Sequence, residues 1–313
     1  LEADLVGQGK AEWVVKPSIK TDLLDHAKEH EALGIYDSGA AWAIRPARLW
    51  PVANLPLSAY CADSRRAYGI GSSGELFTAV NLIDGSTAYT YNFGAGTMVQ
   101  DAWVIGGLMF AVVGGVDLGG GVRQWALYRS TNLGVSWSVV LTPTVQDVYF
   151  LHQGICEANI SGRSCLLAAE YNVNTTRTPG GENDGVKLWR SDDLGVTWYA
   201  VFTWNVGAHQ IRHFHGVAQD PVTGLIFLLC GDDAESRIVS WDGVTPSPAT
   251  PSVANLNATT GWKCLGGSMR ERFVGIAFKG EYFFGMVDSF AAQSGMWRGK
   301  CADLSDFGRV SRS

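Results

Sequence analysis

Apolar residues along this chain come in pairs of short runs rather than at the spacing of long helices. The paired runs occupy residues 102–115, 155–171, 215–232 and 273–289, and each pair has a glycine-containing turn near its middle. Short apolar and β-branched runs on both sides of a tight turn are typical of β-hairpins. A further strand follows each pair, with the sequences WALYRS, VKLWRS, SRIVSW and SGMWRG. The pattern predicts a repeated unit of strand, turn, strand, longer loop, strand, sharp turn and strand.

The unit recurs through most of the chain. A four-stranded unit repeated at about 40 to 50 residues is the signature of a β-propeller. We therefore predict an all-β fold, with residues 35–313 forming a β-propeller of six four-stranded blades, the first of them incomplete, and with five or seven blades as alternatives. Equivalent points of the repeat lie 44 to 61 residues apart, at Ile35, Ala79, Ser130, Ser191, Ser240 and Gly299.

The first 34 residues do not fit the repeat. The stretch TDLLDHAKEHEAL, residues 21–33, is predicted to be a short helix with Thr21 as its cap and acidic residues near its start. We predict that residues 1–34 form an N-terminal extension that attaches the propeller to a larger assembly or to a second copy of the chain.

A nine-residue motif occurs twice, as RSTNLGVSW at residues 129–137 and as RSDDLGVTW at residues 190–198. Asn132 in one copy and Asp193 in the other lie two residues before a glycine that can adopt positive φ, so their side chains can accept the N–H groups of a turn. The tryptophan that ends each copy can then pack against the sheet. Because a turn needs each of these residue types, we interpret the motif as a hairpin and not as a catalytic site.

The motif resembles the Asp box, or BNR repeat, of sialidase-like β-propellers. Residues 191–198 match it and residues 130–137 have Asn in place of Asp, while residues 35–42 and 240–246 resemble degenerate forms. The resemblance implies an outer turn between the third and fourth strands of a blade, away from the ligand face. Sialidases also use an arginine triad whose first member belongs to a Phe/Tyr-Arg-Ile-Pro motif. This chain has only Ile44-Arg45-Pro46, so we do not transfer the triad to it.

Charge and cysteine content narrow the function classes. The formal net charge is −6 at pH 7, so neither a nucleic-acid backbone nor an anionic membrane is expected as a partner. No apolar run is long enough to insert into a membrane. The six cysteines lack a CxxC pair and are expected to be buried free thiols. Cys156 and Cys165 are the one pair close enough in sequence to suggest a hairpin disulfide.

The repeat also predicts where a ligand site lies. In a propeller, the loops before the first strand and after the second strand of each blade meet at one mouth of the central channel. Two of the carboxylates Glu170, Asp232 and Asp288 are candidates for acid and base or nucleophile in glycoside hydrolysis. The residues predicted to bind ligand at the same mouth are Asp117, His152, Tyr171, Arg212, His213, His215, Asp233, Arg270 and Arg272.

Two histidine patterns in the sequence have spacings found in metal sites. His213 and His215 point to one side of a strand, but no third ligand is evident in the sequence, so hydrogen bonding to a ligand or to Asp232 is the preferred role. HAKEH at residues 26–30 fits the pattern H-x-x-E-H, but the rest of that peptidase signature is absent. We interpret it as a solvated charged helix, and we predict no metal and no cofactor.

Three functional hypotheses follow. The first is a propeller that binds a polysaccharide or cell-surface glycan, with hydrolysis left open, in an extracellular or virion-associated protein such as a phage tail spike or receptor-binding protein. The second is a structural or protein-interaction propeller of a virion or other assembly, without catalysis. The third is an exo-acting glycosidase of the sialidase type. Carbohydrate is the predicted partner in the first and third.

Overall fold

The computed structural model describes most of the chain from residue 35 onward, and the predicted N-terminal helix lies outside the described residues. The described ranges are 35–37, 42–44, 57–61, 66–70, 74–81, 86–105, 107–120, 122–143, 145–151, 153–172, 185–204, 211, 213–232, 235–266, 268–287 and 295–310.

The described residues contain five four-stranded antiparallel sheets, and within each sheet the strands lie side by side in chain order. The first two-stranded hairpin precedes them and comprises β1 (Ile35–Asp37) and β2 (Trp42–Ile44). The first sheet comprises β3 (Leu57–Cys61), β4 (Arg66–Ile70), β5 (Leu76–Asn81) and β6 (Thr87–Asn92). The second sheet comprises β7 (Met98–Ile105), β8 (Leu108–Gly114), β9 (Trp125–Ser130) and β10 (Ser138–Leu141).

A second two-stranded pair consists of β11 (Val148–Tyr149) and β14 (Tyr171–Asn172), which lie in the chain just before and just after the first two strands of the third sheet. The third sheet comprises β12 (Ile155–Ile160), β13 (Arg163–Ala169), β15 (Val186–Ser191) and β16 (Tyr199–Trp204). The fourth comprises β17 (Phe214–Gln219), β18 (Ile226–Cys230), β19 (Arg237–Trp241) and β20 (Trp262–Gly266). The fifth comprises β21 (Phe273–Lys279), β22 (Tyr282–Val287), β23 (Gly295–Lys300) and β24 (Gly308–Arg309).

Two short helical segments are described over their full length. Helix α1 (Val253–Ala258) lies between β19 and β20, and a 3-10 helix (Met269–Glu271) precedes β21. Ser252 caps α1 by accepting the N–H of Asn255, and Ser268 and Glu271 form a capping box on the 3-10 helix. Among the helices of the described residues, none has the length and apolarity needed to cross a bilayer.

The hydrophobic core lies between consecutive sheets. Four clusters of buried side chains each draw on two sheets that are neighbours in the chain. Because both faces of a middle sheet are covered, its second strand is buried on both sides, and this explains the unbroken apolar runs of β8, β13 and β18. Members of the four clusters, taken in chain order, are Phe77 with Met109, Phe110 with Leu166, Leu167 with Val217, and Phe227 with Phe283.

The sheets are arranged as consecutive blades of a β-propeller. The first strand of one sheet contacts the first strand of the next, as in the pairs β3 with β7, β7 with β12, β12 with β17, and β17 with β21. The fourth strands β10 and β16 keep several exposed positions, as outer strands do. The prediction of an all-β fold is confirmed, and the number of blades in the whole chain stays a prediction.

The repeated motif forms the hairpin between the third and fourth strands, as predicted. In the second copy, Oδ1 of Asp193 accepts the N–H of Val196 at 3.1 Å and of Thr197 at 2.8 Å, and Oδ2 accepts the hydroxyl of Thr197 at 2.6 Å. The hydroxyl of Ser191 donates to Asp193 at 2.8 Å and accepts the N–H of Gly195 at 2.8 Å. These bonds satisfy the turn internally, so its polar residues are occupied by structure.

The first copy has the same network with an amide in place of the carboxylate. Oδ1 of Asn132 accepts the N–H of Ser136 at 2.9 Å, and the hydroxyl of Ser130 accepts the N–H of Gly134 at 2.8 Å. In the degenerate form at residues 240–246, Asp242 accepts the N–H of Val244 at 2.9 Å and of Thr245 at 2.7 Å. The two full copies therefore share one hydrogen-bonding scheme, whereas the third turn is one residue shorter, because Asp242 accepts N–H groups two and three residues ahead instead of three and four.

The pH dependence of stability should report on the Asp193 turn. Hydrogen bonds from Thr197, Ser191 and Val196 lower the pKa of Asp193 to about 2, below the value of about 3.9 for an unfolded aspartate. A lowered folded-state pKa stabilises the protein above the unfolded pKa and loses that contribution as pH falls toward 2. We expect Asp193→Asn, which copies Asn132 of the first motif, to be less stable than wild type near pH 7 by at most about 1 kcal/mol, because the carboxylate is exposed.

Urea unfolding of both proteins between pH 2 and pH 7 measures this difference. It should shrink between about pH 4 and pH 2, because the wild-type carboxylate is protonated in that range. A difference that stays constant over the whole range would contradict the assignment of Asp193 as a stabilising anion.

Five cysteines are free thiols, namely Cys156, Cys165, Cys230, Cys264 and Cys301, so Cys156 and Cys165 do not form the hairpin disulfide that their spacing suggested. Both belong to or pack against the core between the third and fourth sheets. Burial raises the pKa of the Cys156 thiol to about 12, so this side chain is a neutral, unreactive part of the core.

Candidate functional site

In each sheet, the first residue of the first strand lies beside the last residue of the second strand, because these two strands are antiparallel. Both therefore lie at the same end of the sheet, measured along the strand direction. In the fourth sheet, Phe214 at the start of β17 is paired with Cys230 at the end of β18. In the fifth sheet, Phe273 at the start of β21 is paired with Val287 at the end of β22. The residues just before the first strands and just after the second strands therefore lie at the same end of these sheets. Five of the predicted site residues form a cluster there. The cluster, called here the histidine cluster, comprises Tyr171, His213, His215, Asp232 and Arg272.

The two histidines face each other. Their Nε2 atoms are 3.1 Å apart, and only 1% of His213 and 3% of His215 is exposed. The Nδ1 atom of His213 lies 3.0 Å from the carbonyl oxygen of Asn172, and Nδ1 of His215 lies 2.9 Å from the carbonyl oxygen of Phe273. Because a carbonyl oxygen can only accept, each Nδ1 carries a proton. The two Nε2 atoms are therefore the ones that face the interior of the cluster.

Asp232 lies beside both imidazoles. Its Oδ2 is 3.3 Å from Nε2 of His213, and its Oδ1 is 3.4 Å from Nε2 of His215. Burial by itself would raise the pKa of this carboxyl group, but hydrogen bonds and charge from the two histidines outweigh burial and hold the pKa of Asp232 well below its usual range. Asp232 is therefore an anion in the folded protein.

Arg272 connects the cluster to the surface. Its Nε is 2.8 Å from Oδ1 of Asp232. The side chain of Arg272 is 25% exposed and that of Asp232 is 15% exposed, whereas the histidines are buried. An external molecule would thus meet the guanidinium and the carboxylate before the imidazoles.

A row of aromatic rings leads to the cluster from the second sheet through the β11–β14 pair. Tyr171 stacks on His213 with ring centroids 4.3 Å apart and planes 26° apart. Tyr149, paired with Tyr171 across β11 and β14, lies 5.3 Å from it, and Trp125 lies 4.8 Å from Tyr149. Tyr149 and Tyr171 are half-buried, so parts of both rings remain accessible.

A β-bulge lies at His215, at the start of β17. The register moves from Phe214 directly to Gly216, leaving His215 as the extra residue, and β21 has the same irregularity between Phe273 and Gly275. A bulge redirects the side chains around it. His215 lies in this bulge and, like His213, has its Nε2 atom within 3.4 Å of the Asp232 carboxylate.

Gln153 ties three first strands together next to the cluster. It forms a parallel bridge with Gly216, and its carbonyl accepts the N–H of Val217 at 2.7 Å. Its side chain donates to the carbonyl of Ile276 at 3.1 Å and accepts the N–H of Ile276 at 2.7 Å. A Cβ atom at position 216 would lie 3.0 Å from Cβ of Gln153, so only glycine leaves room for this approach without a shift.

Glu170, one of the three predicted catalytic carboxylates, is buried and hydrogen-bonded to its own sheet. Only 3% of the residue is exposed, Oε2 accepts the N–H of Lys187 at 2.8 Å and Oε1 accepts the indole N–H of Trp189 at 2.8 Å. Its backbone also links β15 and β17, because its N–H donates to Lys187 and its carbonyl accepts the N–H of Phe214. Both carboxylate oxygens thus stabilise the third sheet.

The contacts described for two predicted ligand-binding residues, Asp117 and Arg270, are with residues outside the histidine cluster. Asp117 is exposed and its Oδ1 accepts the N–H of Gly119 at 2.8 Å, which closes a turn after β8. The guanidinium of Arg270 lies over the ring of Trp297, 5.7 Å from its centroid. Four further predicted site residues lie outside the described residues, and these are His152, Arg212, Asp233 and Asp288.

Several functional neighbours were not predicted from the sequence. Tyr149 joins the aromatic row, and Asn172 and Phe273 orient the histidines through their carbonyl groups. A backbone carbonyl carries no side-chain signal, so neither contact is visible in sequence. One signal was present: FHG at 214–216 and FVG at 273–275 repeat a glycine at the same strand position, where the bulges occur.

Within the described residues, His213, His215 and Asp232 form a group of three side chains close enough to hold a metal ion. Asp232 would be the third ligand that the sequence pattern lacked. The group offers two imidazole nitrogens and a carboxylate oxygen, which suit a divalent transition metal.

No family model matches the chain, and no curated protein sequence matches it. Similar solved structures include a nidogen/laminin complex, with 12% identity and a TM-score of 0.49 over 80% of this chain and 78% of the other. The β-propeller domain of Cps50 (Swd1) from Myceliophteria thermophila has 13% identity and a TM-score of 0.43 over 82% and 73% of the two chains. The β-propeller domain of the trilobed protease from Pyrococcus furiosus has 10% identity and a TM-score of 0.42 over 81% and 70%. Because these scores are below 0.5, the description of the fold depends on the sheets themselves.

Proposed function

We propose that the protein is a binding propeller that engages a carbohydrate at the histidine cluster. The observation that carries this proposal is that the partly exposed Asp232–Arg272 pair and the half-buried Tyr171 contact the same residue set, with Tyr171 stacked on His213 and His213 3.3 Å from Asp232. Sugars present apolar ring faces and hydroxyl groups together, and sites that bind them combine an aromatic surface with a few fixed polar groups. Asp232 can accept hydrogen bonds from hydroxyl groups and Arg272 can donate them.

Binding without hydrolysis is the form of the proposal that these side chains favour. A glycosidase needs one carboxylic acid that is protonated at working pH and a second carboxylate across the scissile bond. Asp232 has a lowered pKa, so it is a poor proton donor. Glu170 is buried with both oxygens hydrogen-bonded to N–H groups of its own sheet. Neither side chain suits the role of general acid.

Binding to a glycan array and to a panel of soluble polysaccharides tests the proposal. We expect wild-type protein to retain at least one glycan, and Tyr171→Ala and Arg272→Gln each to weaken that binding by about tenfold or more, as expected for the loss of about 1.4 kcal/mol of contact energy. Asp117→Asn is the matched control, because this residue was predicted for the same mouth but closes an exposed turn. Its affinity should equal that of wild type.

The outcomes separate the hypotheses. Wild-type protein that retains no glycan would contradict the carbohydrate proposal. Binding that survives both cluster variants but is lost in Asp117→Asn would place the site elsewhere on the mouth. Product release that depends on Glu170 would restore the hydrolytic hypothesis, provided that circular dichroism shows the Glu170→Gln variant to be folded.

A protein-interaction role is the second candidate, and one observation favours it. The tips of the three Asp-box-like turns carry exposed valines, with Val135, Val196 and Val244 exposed by 53%, 52% and 58%. Repeated apolar tips on the outer side of consecutive sheets are suited to contact with another protein. This candidate predicts no glycan binding and a partner interaction that is weakened by replacing the valines with serine.

We also propose membership of the sialidase-like Asp-box propellers and a six-bladed ring. The hydrogen-bonding scheme that the turns at residues 129–137 and 190–198 share supports the first part. The second part is supported by the five four-stranded sheets and the additional β1–β2 hairpin, which flanks the degenerate motif at residues 35–42.

A further inference from the structure

The two inward-facing Nε2 atoms of the histidine cluster pose a chemical problem. Both Nδ1 atoms are held by carbonyl oxygens, so Nε2 of each ring is the atom that carries either a lone pair or a second proton. Lone pairs on both Nε2 atoms, 3.1 Å apart, would repel each other, so the cluster requires a positive charge at this point. That charge comes either from protons on the imidazoles or from a metal ion. The adjacent Asp232 carboxylate stabilises a positive charge in either case.

The spacing of the ligand atoms matches a metal site. In a tetrahedral zinc site with metal–ligand distances of about 2.0 to 2.2 Å, neighbouring ligand atoms are about 3.3 to 3.5 Å apart. The three distances in the cluster are 3.1 Å between the Nε2 atoms, 3.3 Å from His213 to Asp232 and 3.4 Å from His215 to Asp232. An ion at the centre of these atoms would need no movement beyond a few tenths of an ångström.

The surrounding groups also resemble the outer shell of a metal centre. A metal-bound histidine usually donates its other N–H to a carbonyl or a carboxylate, which fixes the tautomer and the ring orientation. Both histidines do so here, through Asn172 and Phe273. The carboxylate is in turn held by Arg272 at 2.8 Å. The partial exposure of Asp232 leaves a side of the cluster from which an ion and a fourth ligand can enter.

We propose that His213, His215 and Asp232 form a binding site for a divalent transition-metal ion, with Zn²⁺ as the best fit. Two neutral imidazole nitrogens and one carboxylate oxygen leave a fourth position for water or for a ligand at the mouth. The proposal does not depend on carbohydrate binding, since it concerns only the ion and its three protein ligands.

Metal binding to the purified full chain tests the proposal. After dialysis against a chelator, the protein is titrated with ZnCl₂ by calorimetry and with CoCl₂ by visible absorption. We expect one Zn²⁺ per chain and the intense visible bands of four-coordinate Co²⁺. His213→Gln and His215→Gln should each lower Zn²⁺ affinity by more than the roughly 10- to 100-fold that results from losing an outer-shell partner.

A double variant, His26→Gln with His30→Gln, is the matched control. It removes a closely spaced histidine pair outside the cluster and should leave stoichiometry and affinity unchanged. Asp232→Asn should lower affinity and alter the Co²⁺ spectrum, because an amide oxygen is a weaker ligand. Near-ultraviolet circular dichroism checks that each variant is folded, and a variant that does not fold is replaced by one at either of the other two ligand positions.

Three results would overturn the proposal. The first is wild-type protein that binds neither Zn²⁺ nor Co²⁺, which would leave protons on the imidazoles as the source of the positive charge. The second is stoichiometric binding that survives in folded His213 and His215 variants. The third is binding that is lost in the His26 and His30 control, which would assign the ion to the N-terminal segment.

Discussion

Replacing Trp204 with alanine is expected to lower the free energy of unfolding by about 3 to 5 kcal/mol, the range for a fully buried aromatic residue. Trp204 ends β16 with only 1% of its surface exposed. Its ring packs against Phe202, Phe214 and Trp262 at centroid distances of 4.8, 5.4 and 6.0 Å. The substitution therefore leaves a cavity between the third and fourth sheets, and it also removes the hydrogen bond from the indole N–H to Ser247.

Equilibrium urea unfolding followed by tryptophan fluorescence and circular dichroism gives the measurement. Val139→Ala is the control, because Val139 is on β10, also a fourth strand, but is 51% exposed. The control should change stability by less than about 0.5 kcal/mol. Similar losses in the two variants would show that the interface between the third and fourth sheets is not a main source of stability.

Gly195→Ala is expected to destabilise the protein by about 2 to 4 kcal/mol, from backbone strain and overpacking together. Gly195 has φ of +80°, and a Cβ atom there would lie 2.6 Å from two ring atoms of Phe110. Phe110 belongs to β8 of the preceding sheet and is completely buried, so its ring has no room to move away. The glycine of the Asp-box-like turn is therefore required by the neighbouring sheet as well as by the turn.

Gly162→Ala separates these two effects. Gly162 has φ of +79°, and a Cβ atom there would meet nothing within 4 Å. This control therefore carries the backbone strain alone, about 1 to 2 kcal/mol. The difference between the two variants in thermal or urea unfolding measures the contact between sheets. If the two losses are equal, the turn does not pack against Phe110 as described.

The repeating strands could be predicted from sequence because each hairpin is specified locally. The paired apolar runs at 102–115 and 273–289 became β7 with β8 and β21 with β22. The turn motif was equally local, since Asp193 bonds to groups no more than four residues away. What sequence did not predict was that the turn glycines face aromatic residues of the previous sheet, as Gly195 does with Phe110. That contact joins positions far apart in the chain.

The candidate site was predicted only in part, for a related reason. The repeat placed polar residues at one edge of each sheet, and Tyr171, His213, His215, Asp232 and Arg272 do lie together there. Sequence position could not distinguish Glu170 from the residues of this cluster. In the structure its carboxylate oxygens accept hydrogen bonds from Lys187 and Trp189 instead. An acid after a strand has the same local pattern whether it faces a ligand or its own sheet.

By itself, the sequence determined the all-β class, the four-strand repeat and the chemistry of the turns, because alternation, turn residues and short-range hydrogen bonds act within a few positions of each other. Only the tertiary structure decided which polar residues share a site. The bulge at His215, the carbonyl groups of Asn172 and Phe273 and the approach of Arg272 come from three different sheets or loops. Their meeting depends on how the sheets pack, and that packing sets the distances on which binding chemistry depends.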